Sequence, residues 1–172
     1  MKKVITFLFL VSFGLTQAQQ AFTGKGDVRV NVGANLQDGG SGIQGSVDFG
    51  LGENFSFGFV ANYLLSVDGY GQYNGNQYYE QKPDFAHRFD AKARINANLS
   101  SVIGVEQLDI YPGLSIGTHN FGGHVGGRYF FTDGFGVYTE IGFPIAKYAR
   151  DGIFGHLNNQ ATFSLGASFN LQ

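Results

Sequence analysis

Ser164-Leu165-Gly166-Ala167-Ser168-Phe169-Asn170-Leu171-Gln172, the last nine residues, decide the fold. Phe163, Leu165, Ala167, Phe169 and Leu171 fall on one face of an extended strand. Thr162, Ser164, Gly166, Ser168 and Asn170 fall on the other. This period of two marks a strand with one apolar and one polar face. An apolar strand at a chain end leaves an unpaired edge that invites aggregation. Closing the sheet on itself removes that edge.

Working outward, the same alternation recurs in seven earlier segments. They run at about Lys25–Leu36, Gly42–Leu51, Phe55–Leu65, His87–Leu99, Gln107–Gly117, Phe121–Phe131 and Phe135–Tyr148. Each is near the roughly 9–11 residues that a tilted membrane strand needs. Val30, Val47, Phe57, Ile95, Leu114, Val125 and Ile141 share one face, and charged or amide residues share the other. The expected fold is all-β: an eight-stranded antiparallel up-and-down transmembrane β-barrel, apolar outside and polar inside. Short turns are expected at Gly52–Asn54, Ser100–Glu106 and Thr132–Gly134. The opposite end receives Gln37–Ser41, Ser66–Ala86, Thr118–Asn120 and Ala149–Gln160, with Ser66–Ala86 the longest irregular stretch. Outward rings form two girdles, with Phe49, Phe55, Phe57, Phe131, Phe135 and Phe169 at one end and Tyr63, Phe89, Phe121, Phe143 and Phe163 at the other. Pro112 predicts a bulge or a late strand start, and Pro144 a bend near the end of the seventh strand.

The bulk composition agrees. The 172 residues suffice for one domain, with 27 glycines, 16% aromatic and 14% charged residues, a mixture suited to short alternating strands. Cysteine is absent, which excludes a disulfide framework and a thiolate metal site; tryptophan is absent, so the girdles use Phe and Tyr. Residues 1–18 read as a cleaved signal peptide: Lys2 and Lys3, an apolar stretch from Val4 to Leu15, then Thr16-Gln17-Ala18. The barrel domain is then 19–172. Losing Lys2 and Lys3 leaves nine basic residues against thirteen acidic ones, a formal charge of −4, which argues against nucleic acid as a partner.

Parity places Arg29, Arg88, Lys92, Arg94 and Arg128 in the lumen with Asp27, Asp48, Asp90, Asp109 and Glu140. Eight strands enclose an interior just wide enough for side chains to fill. Inward glycines such as Gly33, Gly58, Gly113, Gly126 and Gly166 make room for the long ones. The expectation is a plugged, hydrogen-bonded charge network, with a narrow polar conduction path as the alternative. Which ion pairs with which is not fixed by parity.

Other motifs carry less. Gly40–Gly45 fits the GxGxxG spacing, but an alternating strand follows instead of a helix. Asp68, Asn74, Asn76 and Glu80 do not follow the spacing of a calcium loop. None of His87, His119, His124 and His156 stands two residues before a serine, as in one type of lipid-modifying barrel enzyme, which remains a third reading. No catalytic, metal or cofactor set is assigned. In the long loop, Tyr70, Tyr73, Tyr78 and Tyr79 are candidate surface contacts, against a solvated or lipopolysaccharide-facing loop without a specific partner.

Ser164, Gly166, Phe169 and Leu171 resemble the C-terminal sorting signal of bacterial outer-membrane barrels. The segments Gly26–Gly52, Arg88–Arg94, Asn120–Gly123, Arg128–Val137 and the last strand look like an uncharacterised family of small envelope barrels of Gram-negative bacteria. The fold is similar to the OmpA and OmpX barrels. The resemblance implies a monomer in the outer membrane, contacting lipid and lipopolysaccharide, and meeting the assembly machinery through its last strand. It implies no enzyme activity and no ligand. The expected role is non-catalytic, structural or surface-interacting; the porin-like alternative is a narrow channel for small solutes or ions.

Overall fold

A computed structural model describes residues 20–74, 77–149 and 152–171. The expected signal peptide, residues 1–18, lies outside the described residues. Alternation becomes a wall here because most inward positions are polar and bond to one another across the barrel, while most apolar side chains face out. In chain order the elements are β1 (Val28–Gln37), β2 (Gly40–Gly50), β3 (Phe55–Val67), β4 (Tyr70–Asn74), β5 (Gln77–Gln81), α1 (Phe85–Arg88), β6 (Phe89–Ala97), α2 (Ser100–Ile103), β7 (Leu108–Gly117), β8 (Asn120–Phe130), β9 (Phe135–Lys147) and β10 (Thr162–Asn170). Eight of them close an antiparallel barrel in the order β1-β10-β9-β8-β7-β6-β3-β2, and β4–β5 form a separate hairpin.

The closing seam is the pairing of β10 with β1, from Arg29 opposite Asn170 to Gln37 opposite Thr162. Gly33 faces Gly166 at its middle. A Cβ on Gly166 would lie 2.2 Å from the Val32 carbonyl oxygen and 2.4 Å from Gly33 Cα, so the two strands approach too closely for any side chain there. Along β1 the inward Arg29, Asn31 and Asn35 are buried, and the outward Val32, Ala34 and Leu36 are exposed. The other barrel strands repeat this inversion of the usual soluble pattern, with Ile95, Val125, Ile141 and Leu165 exposed and Asn96, Arg128, Glu140 and Ser164 buried.

Both described chain ends lie at one end of the barrel, here the terminal end, with the connections 51–54, 98–107 and 131–134. The connections 68–88 and 148–161 share the opposite, loop end with two two-residue turns, Asp38–Gly39 and Thr118–His119. Rings gather at both ends. Phe49 stacks on Phe57 at 5.2 Å and Phe135 meets Phe169 at 5.7 Å at the terminal end. At the loop end Phe85 packs on Phe89 at 5.2 Å and Tyr63 at 5.8 Å.

Several expectations need correction. Much of the stretch 66–86 is regular: it holds the end of β3, the β4–β5 hairpin, whose tyrosines suit a two-stranded ladder, and the start of α1. The connection after β6 includes the single turn α2, ended by Gly104 at φ 72°, a left-handed cap that favours glycine. β7 starts at Leu108 and carries Pro112 in its interior, paired with Val125 of β8. Its other neighbour explains the tolerance: the β6–β7 ladder runs only from Lys92–Gly117 to Asn96–Gly113, stopping one residue short of Pro112. Near Pro144 the register shifts between Phe121 and Gly122 of β8, leaving Ile145 unpaired in a bulge. Arg88 sits half-buried on the last turn of α1 at the loop end, not on an inward strand position, because β6 begins only at Phe89.

Candidate functional site

The lumen is filled by one hydrogen-bonded network, supplied by inward positions of every barrel strand. Arg94 on β6 is at its centre. Its Nε and Nη2 donate to the two oxygens of Asp48 on β2, both at 2.7 Å, and Nη1 donates to Glu140 on β9 at 2.7 Å. Arg128 on β8 also pairs with Asp48, and lies 3.6 Å from Asp109 on β7. Its guanidinium stacks over the Tyr111 ring at 3.9 Å. Amides add further bonds to the carboxylates. Asn96 donates to Asp48 at 3.1 Å, Asn98 to Asp109 at 2.7 Å, and Gln44 to Glu140 at 3.3 Å. Ions this deeply buried persist only when paired and bonded in this way.

Glycines create the space. A Cβ on Gly58 would strike Asp48 Oδ1 at 2.2 Å, one on Gly113 the His124 ring at 2.5 Å, and one on Gly126 the Tyr111 ring at 2.1 Å. The void beside Lys92, Arg94, His124 and Glu140 has about 20 Å³. That is room for roughly one water molecule.

Each end is closed by its own cover. At the terminal end Asp27 and Arg29 form a two-point pair at 2.7 Å, with the guanidinium 4.8 Å over Phe130. Arg29 also donates to the Gln20 carbonyl at 3.1 Å, and Thr23 N donates to Asp27 at 2.7 Å. This holds residues 20–24 across the opening, with Ala21 and Phe22 fully buried. At the loop end Asp90 takes Lys92 at 3.3 Å, Thr118 at 2.7 Å and His119 at 3.1 Å. Above it the β9–β10 connection dips inward, burying Leu157, Asn158 and Asn159. Asn158 is the keystone, at φ 57°. Its N–H donates to Gln37 at 3.1 Å, its amide to the His87 and Arg88 carbonyls at 2.9 and 3.2 Å, and its carbonyl accepts from Asn120 at 2.8 Å.

Nine of the ten ions expected in the lumen are therefore brought into it; Arg88 is at the rim. Of the expected assembly residues, Ser164 points inward, donating to Gln44 at 2.8 Å and accepting from Asn35 at 3.0 Å. Gly166 is on the seam, while Phe169 and Leu171 face out, with Leu171 N donating to the Val28 carbonyl at 3.1 Å. The two covers were not foreseen, since neither Phe22 nor Leu157 belongs to an alternating run.

The four candidate tyrosines all lie on the exposed hairpin. Tyr73 and Tyr78 are opposite one another with rings 5.3 Å apart, and the Tyr79 hydroxyl donates to Gln77. At its foot Asp84 caps α1: the His87 ring lies 2.6 Å and the His87 N–H 3.0 Å from its carboxylate. The ring contact first, then the backbone one, holds the Asp84 carboxyl below its ordinary range.

A family model described as a family of unknown function (DUF6646) matches residues 11–171. No curated protein and no solved structure matches the chain.

Proposed function

The chain belongs to that family of unknown function, and we propose that it is a non-catalytic outer-membrane barrel of a Gram-negative bacterium, exported through a cleaved signal peptide, with a structural or surface-interaction role. One observation carries this reading: the barrel's outer wall is a continuous band of exposed Val, Ile, Leu and Phe, while its ions are buried inside. Such a wall in water would be an aggregation surface; in lipid it is a solvated one. The closed sheet has no free edge strand, which is what a membrane-spanning sheet requires. Ring clusters at both ends support aromatic girdles at the two interfaces.

In this reading the terminal end faces the periplasm and the loop end, with the tyrosine hairpin, faces outward among lipopolysaccharide. A single chain closes the barrel, so a monomer suffices. β10 pairs with β1 last and is free to meet the assembly machinery before that. The filled centre and two covers weigh against the channel alternative. Cell fractionation tests the proposal: the mature protein is expected in the outer-membrane fraction, and its recovery as a soluble periplasmic species would overturn it.

A further inference from the structure

We infer that the β4–β5 hairpin and the groove at its foot form a binding cleft for an uncharged oligosaccharide. The inference rests on the proposed function only in that the latter turns this end of the barrel outward. The strand register puts Tyr70, Tyr79, Gln77 and Gln81 on one face of the hairpin, and Tyr73, Tyr78 and Glu80 on the other. Gln81 also lines a groove of about 390 Å³, together with Lys82, the α1 cap Asp84, His87 of α1, and Ile153 and Phe154 of the β9–β10 connection. That volume falls within the roughly 300–1,000 Å³ of small-molecule sites. The hairpin face and the groove are thus one continuous surface, joined at Gln81.

Its chemistry selects the ligand. Tyr70 and Tyr79 are 59% and 52% exposed, so their rings are free to lie against another flat apolar face. Phe154 meets the His87 ring edge-on at 6.2 Å, giving the groove an aromatic wall. The amide of Gln81, opposite Tyr70, and the Asp84 carboxylate stand between the hairpin rings and the groove, while the Gln77 amide lies beyond Tyr79 and accepts from its hydroxyl; the amides donate and accept, and the carboxylate accepts. A pyranose offers the complement: a C–H face that packs on a ring and a rim of hydroxyls for amides and carboxylates. Among the described residues lining the cleft, Lys82 is answered by Glu80 at 3.4 Å and Asp84 by His87 at 2.6 Å, so these give an anionic polymer no surplus of positive charge. A protein partner would want a broad apolar centre, yet neither hairpin strand carries an aliphatic residue and the described groove lining adds a single one, Ile153.

The test is native affinity electrophoresis of the purified full barrel in detergent. The gels contain soluble neutral polysaccharides (a β-glucan, an α-glucan, a mannan or an arabinoxylan) or, in a separate lane set, dextran sulfate. Retardation by at least one neutral polymer is expected. Tyr79→Ala combined with Phe154→Ala should weaken it about tenfold or more. Tyr79→Ala alone, on the exposed hairpin and remote from the barrel wall, should weaken it as well, and heat-dependent gel mobility checks that each barrel is folded. No retardation by any neutral polymer, retardation by dextran sulfate alone, or variants that bind like the parent would each overturn the inference. Because the assay uses detergent-purified protein, it fails or succeeds independently of the fractionation result.

Discussion

Arg94→Met is predicted to be the most damaging single substitution in the lumen. Arg94 makes two 2.7 Å bonds to Asp48, one of 2.7 Å to Glu140 and one of 3.0 Å to Ser46. Asp48 retains Arg128 and Asn96 when these bonds are lost. Glu140 retains Gln44 at 3.3 Å, and among the described residues no other salt bridge reaches it, so it becomes a buried charge without a bonded opposite one. Stranding one member of a buried pair costs about 3–5 kcal/mol. The assay is urea unfolding of the barrel in thin phosphatidylcholine vesicles, with the folded fraction read by the mobility of unheated samples in SDS gels. Adding Glu140→Gln to Arg94→Met removes the stranded charge and should recover about 2 kcal/mol or more of the loss. A cost below about 1 kcal/mol for Arg94→Met, or no recovery in the double variant, would refute the reasoning.

Four further outcomes are expected. Gly166→Ala sets a Cβ against the backbone of β1 and should lower stability by at least about 1–3 kcal/mol in the same titration; wild-type stability would contradict the close seam. Asn158→Gly keeps the left-handed backbone but removes the side-chain bonds, so amide exchange should quicken across 152–161 and 85–88 while the strands stay protected; unchanged exchange in the loop would count against the keystone role. Phe169→Asp should reduce outer-membrane levels of the protein in cells, and normal levels would contradict an assembly role for β10. In planar bilayers the intact barrel should give no discrete conductance steps, since its centre leaves a void of only about 20 Å³, and well-resolved steps would contradict the filled lumen.

The barrel was legible because period-two alternation is set by the strand itself, and strand count and closure follow from where alternation stops. Phe163 to Leu171 and Val28 to Leu36 already specified their faces, so pairing them needed only the absence of another partner. Ion placement followed from the same parity, and it failed at Arg88 because a helical turn replaces the strand there. Pairing was not legible: Arg94 meets Asp48 and Glu140 from strands 46 residues away on either side, a matter of barrel stagger that no local pattern records. The covers were hidden for a related reason. Phe22 and Leu157 are buried by docking onto groups such as Glu106 and Gln37 through their neighbours, not by lying on a periodic face. The hairpin in 66–86 was masked by polar residues on both faces, which erase the alternation that marked every other strand.

The central claim is that the outward apolar wall faces lipid, and the absence of cysteine allows it to be tested residue by residue. Single cysteines at Ile95, Val125, Ile141 and Leu165, all exposed on the wall, would each carry an environment-sensitive fluorophore in vesicle-reconstituted protein, with Tyr79→Cys on the hairpin as the comparison. The four wall positions are predicted to be quenched by lipids brominated in their acyl chains and shielded from aqueous iodide, with the reverse at position 79. Iodide quenching at the wall positions without quenching by brominated lipid would contradict the account.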